Sequence, residues 1–210
     1  MRKELIKKTL LCWEDTIPDG LHERIQQRQS RRNFLKAAAI VPAGIYLSGC
    51  DNPASTPTTA ENKISSVEQA PWNTFASVQN HLFPKDDESP GADDINATTY
   101  LKLVLELPGT DDADKKFIRD GVNWTNDLSR QMFDRNFHQL DFGKKEQVLQ
   151  RISKSRAGES WLSLLLLYIF EALIADPVYG GNTNQVGWQW LEHAPGFPLP
   201  PEDKRYYLLR

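Results

Sequence analysis

Sulfur is scarce in this chain. Two cysteines, Cys12 and Cys50, and two methionines, Met1 and Met132, are spread over 210 residues. No disulfide framework and no Cys-x-x-Cys site for metal, haem or redox work can be assembled from them. Histidine is equally thin: beyond the first fifty residues, His81, His138 and His193 are scattered, without the i, i+4 pair of a helical zinc site. Period-2 alternation of useful length is missing, which leaves a sheet without support. No apolar run reaches the roughly 20 residues of a permanent membrane span. A basic excess is absent too, at a formal net charge of -3.

That small net charge hides an asymmetry. Residues 1–49 carry nine Lys and Arg against five Asp and Glu, and the remainder carries 16 against 23, a net of -7. An acidic body argues against nucleic acid as a partner, because phosphate binding needs clustered cations. The basic portion contains Ser30-Arg31-Arg32-Asn33-Phe34-Leu35-Lys36, then a moderately apolar stretch from Ala37 to Leu47 and Leu47-Ser48-Gly49-Cys50. The first motif resembles the twin-arginine export signal, in which the translocase reads Ser30, Arg31, Arg32, Phe34, Leu35 and Lys36 and passes cargo already folded. The second resembles a lipobox, in which Cys50 is lipidated and becomes the mature N-terminus. Pro42 and Gly44 interrupt the intervening stretch, which reads as a signal h-region and not an anchor.

The expected division is therefore a signal over 1–49, a flexible tether over 50–70 rich in Pro, Ser and Thr, and a helical domain over 71–210. Asp51 directly after Cys50 resembles the signal that keeps lipoproteins at the inner membrane. The expected location is periplasmic, lipid-anchored, at that membrane. Nothing in the sequence accounts for the 29 residues before Ser30.

Within the domain the period is helical. Trp72, Phe75, Val78, Leu82 and Phe83 recur at three- and four-residue intervals and stop at Pro84. A second helix, capped by Asn96 or Thr98, carries Tyr100, Leu101, Val104 and Leu105 up to Pro108-Gly109. A long helix is predicted from about Ala113 to Phe137, with Phe117, Gly121, Trp124, Leu128 and Met132 on one stripe. Asp111, Asp112 and Asp114 suit its N-terminus and lack a calcium-loop register. Phe142 to Ser153 reads as another helix with Val148 and Ile152 inward. Trp161 to Ala175, apolar all round, is the candidate central helix. The fold class is mostly α, a compact helical domain with an irregular, aromatic, Gly- and Pro-rich C-terminal tail.

The tail opens with Asp176-Pro177-Val178-Tyr179-Gly180-Gly181-Asn182 and continues through Gly187-Trp188-Gln189-Trp190-Leu191 to a proline-rich end. Pro177 fixes the helix exit, and Gly180-Gly181 permits positive φ and close backbone approach. Trp188 and Trp190 stand two residues apart in a segment expected to be extended, and at least one can anchor an interface while the segment also caps its own core.

Asp176, Pro177, Tyr179, Gly180, Gly181, Asn182, Gly187 and Trp188, behind a signal, a short helix and a long amphipathic one, resemble the gluconate 2-dehydrogenase subunit 3 family over about residues 71–196. The resemblance implies a small subunit without a cofactor of its own. Its implied partners are an FAD-containing large subunit of the glucose-methanol-choline type, which oxidises a sugar or sugar acid, and often a cytochrome c. It also implies help in maturing the large subunit and, through the twin-arginine signal, escort of it across the membrane by the translocase. These residues with Trp190 are the expected partner-binding set.

Independent chemistry finds no constellation. Gly180-Gly181 does not follow a strand and is not a dinucleotide cradle. Glu171 and Asp176 flank a helix end, where Glu171 is expected to make a satisfied polar contact instead of sharing a proton. His81 reads as a surface or interface residue. Asn96-Ala97-Thr98 matches a glycosylation sequon that a bacterial signal makes irrelevant. The competing reading is a stand-alone periplasmic binding or structural lipoprotein whose aromatic tail covers its own core.

Overall fold

The computed structural model describes Leu10, residues 12–27 and residues 66–208, with side chains from residue 71 onward in the second stretch. The expected export motif Ser30 to Lys36, Cys50 and most of the expected tether lie outside the described residues. All regular structure among the described residues is helical, so the mostly α fold class stands. The body is built from α1 (Ser66–Leu82), α2 (Ala97–Glu106), α3 (Asp112–Phe133), α4 (Phe142–Ile152), α5 (Arg156–Ile174) and the short α6 (Val186–Trp190), with one 3-10 turn, Phe137–Gln139, between α3 and α4 and two, Pro177–Tyr179 and Thr183–Gln185, between α5 and α6.

Local chemistry sets the boundaries. The Asp111 carboxylate accepts from the backbone of Ala113 at 2.8 Å and of Asp114 at 3.4 Å, starting α3 where the acidic cluster was expected to do so. The same helix stops at Phe133, before the expected Phe137, because Asp134 turns left-handed at φ 59 and donates back to Arg130. α5 begins earlier than Trp161, since the Ser155 hydroxyl caps it by accepting from Gly158 N at 3.1 Å.

α5 is the hub, in contact with α1, α2, α3 and α6. Trp161, Leu165, Tyr168 and Ile169 are each at most 1 % exposed. With its full length of 19 residues, α5 is long and apolar enough to cross a membrane, yet more than half of it is buried in the fold. Its crossing with α3 depends on Gly121: a Cβ there would sit 2.0 Å from Trp161 Nε1. The bare backbone lets the indole lie on α3, where Nε1 donates to Ile118 O at 3.0 Å. On the far side Asn126 ties three segments, donating to Thr74 Oγ1 at 3.1 Å and accepting from Phe137 N at 3.0 Å.

The core was expected to begin at residue 71, and it also takes in an arm from the chain's first part. Leu10, Trp13, Leu21 and Ile25 are buried in the same cluster as Phe117, Leu164 and Tyr168. The arm is helical at 12–14 and 21–27 and turns at Gly20, φ 67. Leu21 and Ile25 are four apart within 21–27, which puts them on one face of that helical piece.

Candidate functional site

The C-terminal segment is positioned by the end of α5. Asp176 Oδ1 accepts from Val178 N at 3.0 Å, and Pro177–Tyr179 form a 3-10 turn closed by Gly180 at φ 82. Only glycine takes that φ without strain. Asn182, wholly buried, then fixes three pieces of chain. Its N–H donates to Ile95 O at 2.8 Å, its Nδ2 to Ala175 O at 2.9 Å, and its Oδ1 accepts from Gly187 N at 2.7 Å. The loop before α2, the end of α5 and the start of α6 are thereby joined through one amide. Gly187 packs so closely that a Cβ would lie 2.0 Å from Leu173 O, and at Gly181 one would lie 2.8 Å from Ala172 O.

The two tail tryptophans are not on an extended strand. They sit on α6 and separate by depth: Trp188 is 6 % exposed and Trp190 is 42 % exposed. Trp188 Nε1 donates to Ile174 O at 3.0 Å, and the His193 ring meets its edge at 5.6 Å. Trp190 faces outward beside Phe83, ring centroids 6.4 Å apart, and Phe83 in turn stands 6.2 Å from Phe170. Around them Ile174 is 48 % and Leu191 46 % exposed, giving one apolar patch on the α5–α6 face. Tyr179 lies at the other edge, where its hydroxyl accepts from Tyr206 N at 3.3 Å and its ring packs on Tyr206 at 5.7 Å. The end of the tail is folded back there.

Of the residues expected to bind a partner, Gly181, Asn182, Gly187 and Trp188 are buried in the fold. Asp176, Pro177, Tyr179 and Gly180 are half-buried, and Trp190 is presented. Phe83, Phe170, Ile174 and Leu191 complete the patch; the sequence placed Phe83 on the apolar stripe of the first helix and assigned none of the four to an interface. For Phe170 and Ile174 the signal was that α5 is apolar all round, more than a small body can cover.

Polar chemistry near the patch is consumed locally. Tyr100 OH donates to Glu171 Oε2 at 3.3 Å, and burial together with the Glu171 charge raises the phenol well above its ordinary range. Elsewhere His81 Nε2 and Glu146 Oε2 are 2.6 Å apart, and the His81 hydrogen bond holds the Glu146 carboxyl below the usual range. Among the described residues no three His, Cys, Asp or Glu side chains come together as a metal site would require. The arrangement presents a hydrophobic surface on a rigid helical frame.

No curated protein and no solved structure matches the chain significantly. The sequence profile described as Gluconate 2-dehydrogenase subunit 3 matches residues 69–196, which contains α2 to α6 and nearly all of α1. That stretch holds both the Asn182 junction and the α5–α6 patch. With well over half of its residues matched to that profile, the chain belongs to the gluconate 2-dehydrogenase subunit 3 family, the small subunits of such dehydrogenases.

Proposed function

We propose that this chain is the non-catalytic small subunit of a membrane-associated, periplasmic, flavin-dependent dehydrogenase, and that it assists maturation and twin-arginine export of the catalytic subunit. Family membership together with the apolar patch of Phe170, Ile174, Trp190 and Leu191 carries the reading. A surface of that kind on a monomer marks an interface. The partner is an FAD-containing large subunit of the glucose-methanol-choline type, with a cytochrome c as a third component. The flavin belongs to that partner. Arg31 and Arg32 carry the export signal, and lipidated Cys50 holds the assembly at the inner membrane. A signal that admits folded cargo moves a second chain bound to the first, so the large subunit acquires FAD in the cytoplasm and crosses in complex.

Co-expression with the large subunit tests this. Deleting the small subunit, or replacing Arg31 and Arg32 by Lys, which imitates a guanidinium pair poorly, leaves dehydrogenase activity in the cytoplasm. Full periplasmic activity in either strain would remove the escort role, and a Cys50→Ser protein that still sediments with membranes would remove the lipid anchor.

A further inference from the structure

The arm at residues 10–27 touches the body through three contacts of different chemistry. Trp13 stacks on Trp124, centroids 4.9 Å apart and planes 18° from parallel, with Phe117 meeting the same indole at 5.6 Å. Arg24 grips the carboxylate of Asp114 in the first turn of α3, Nη2 at 2.5 Å and Nε at 3.2 Å. Glu14 Oε1 accepts from Ala157 N at 3.3 Å, which places a carboxylate at the N-terminus of α5. Between these contacts Leu21 and Ile25 descend into the core at 1 % and 5 % exposure. The surface under the arm is thus a groove with an aromatic floor, an acid at one end and the N-terminus of α5 at the other, filled by two short helical pieces, 12–14 and 21–27, with a turn between them. It is occupied here by its own chain.

All three contacts are made by side chains of the arm. None is a covalent bond or a backbone ladder, so the arm is held by side-chain packing and by its tether to the body. Intramolecular tethering raises the arm's effective concentration at the groove above that of a free peptide. A cut between the arm and α1 removes that advantage and adds the translational and rotational cost of a bimolecular complex.

We infer that the groove beneath residues 10–27 is a docking site for an amphipathic segment of the partner dehydrogenase subunit, closed by the chain's own arm in the precursor and opened when the chain is cut before Cys50. The inference rests on the reading of Cys50 as the mature N-terminus, since that cut separates arm from body. The occupant's chemistry is that of the arm: an apolar stripe with one aromatic anchor for Trp124, a guanidinium or ammonium for Asp114, and a carboxylate for the α5 N-terminus. Charge complementarity at Asp114 and Ala157 N fixes the direction in which such a segment lies. The precursor consequently hides this surface until processing, while the α5–α6 patch is open throughout.

The test uses the full chain with a protease recognition sequence inserted within residues 53–64. The probe is a fluorescein-labelled peptide of residues 8–28. Before cutting, the peptide binds at least about a hundredfold more weakly than after cutting and gel filtration, because the tethered arm competes. Peptide carrying Trp13→Ala loses about tenfold or more in affinity, as aromatic anchors do. Peptide carrying Arg24→Gln loses about tenfold against the native body and nothing against an Asp114→Asn body, a double-mutant cycle that isolates the pair. Purified large subunit displaces the peptide.

Equal binding before and after cutting would overturn the inference, as would an arm fragment that stays bound through gel filtration at nanomolar concentration. A cut chain that loses its helical circular dichroism would overturn it too, by making the arm an inseparable part of the core. Failure of the large subunit to displace the peptide would overturn the assignment of the occupant. These results leave the export reading intact. A periplasmic protein whose mass still includes residues 10–27 would instead overturn both the reading of Cys50 and the opening of the groove.

Discussion

Two segments wrap the same helical body, one from each end of the chain, and each brings a buried tryptophan. The C-terminal one, Asp176 to Trp190, is held by bonds that end on main chain and by close main-chain approach: the N–H and side-chain amide of Asn182 bind Ile95, Ala175 and Gly187, and glycine at 187 lets main chain lie directly on Leu173. The N-terminal one, residues 10–27, is held through side chains alone, by a ring stack, an ion pair and one carboxylate on a helix N-terminus. Backbone attachments tolerate almost no substitution, because their geometry is set by the chain itself. Side-chain attachments can be copied by another segment. The family match includes the first segment and excludes the second, in keeping with that division.

The comparison breaks first at Trp188. Its replacement by Ala removes a buried indole and its bond to Ile174 O, a change expected to cost about 3–5 kcal/mol. For a domain of this size that lowers the thermal midpoint by about 2–4 °C per kcal/mol in calorimetry. A midpoint unchanged within error would show that the C-terminal wrap is not integral.

Asn182→Ala is next in size. It leaves Ala175 O and Gly187 N without their partner in a buried place, at an expected cost of about 2–3 kcal/mol. Hydrogen exchange should then accelerate at Gly187 and in the last turn of α5 before it does so elsewhere. Exchange rising evenly across the body would contradict a local junction.

Arg24→Ala belongs to the other segment and is smaller, because the guanidinium is partly exposed while Asp114 is buried. About 1 kcal/mol is expected, seen as loss of protease protection confined to residues 10–27. If the body melts earlier by the same amount, the arm is an inseparable part of the core. Trp190→Ala should move global stability by no more than about 0.5 kcal/mol, yet weaken association with the large subunit by about 2 kcal/mol or more. Surface plasmon resonance with the large subunit reads that difference, and unaltered affinity would take the α5–α6 patch out of the interface.

The smallest effect is that of pH. Hydrogen bonds from Lys85 lower the Asp94 carboxyl, those from Lys144 lower Asp141, and those from His81 lower Glu146. A depressed carboxyl contributes stability above its unfolded pKa, and the contribution fades as pH falls through the folded value. The thermal midpoint should therefore be flat from neutral pH to about 5 and decline below about 4. A maximum near pH 4 would reverse the sign and refute the assignment.

Much of this could be read along the chain. Helical period found five of the helices, because one face of each must be apolar to be buried, although α1 opens at Ser66, inside the expected tether, and α5 at Arg156, ahead of the expected Trp161. Asp111 announced the start of α3, and Asp176-Pro177 with Gly180 announced the turn after α5, because caps and left-handed turns demand particular residue types. The family resemblance was visible in the same turn, where close packing leaves few residues that fit.

Depth was not legible. Trp188 and Trp190 are two positions apart and chemically identical, and only the packing of α6 on Ile174 sends one inward and the other out. Phe170 and Ile174 on α5 looked as buried as Leu165 and Ile169, since an all-apolar helix carries no mark of which face its neighbours leave open. The arm was read only as the lead-in to a signal. Its Trp13, Leu21 and Ile25 find their places against Trp124 and the core, contacts between residues roughly a hundred positions apart in sequence, which no local period encodes. Local spacing determined what each segment is, and the long-range closing of the body decided which of its surfaces remain for a partner.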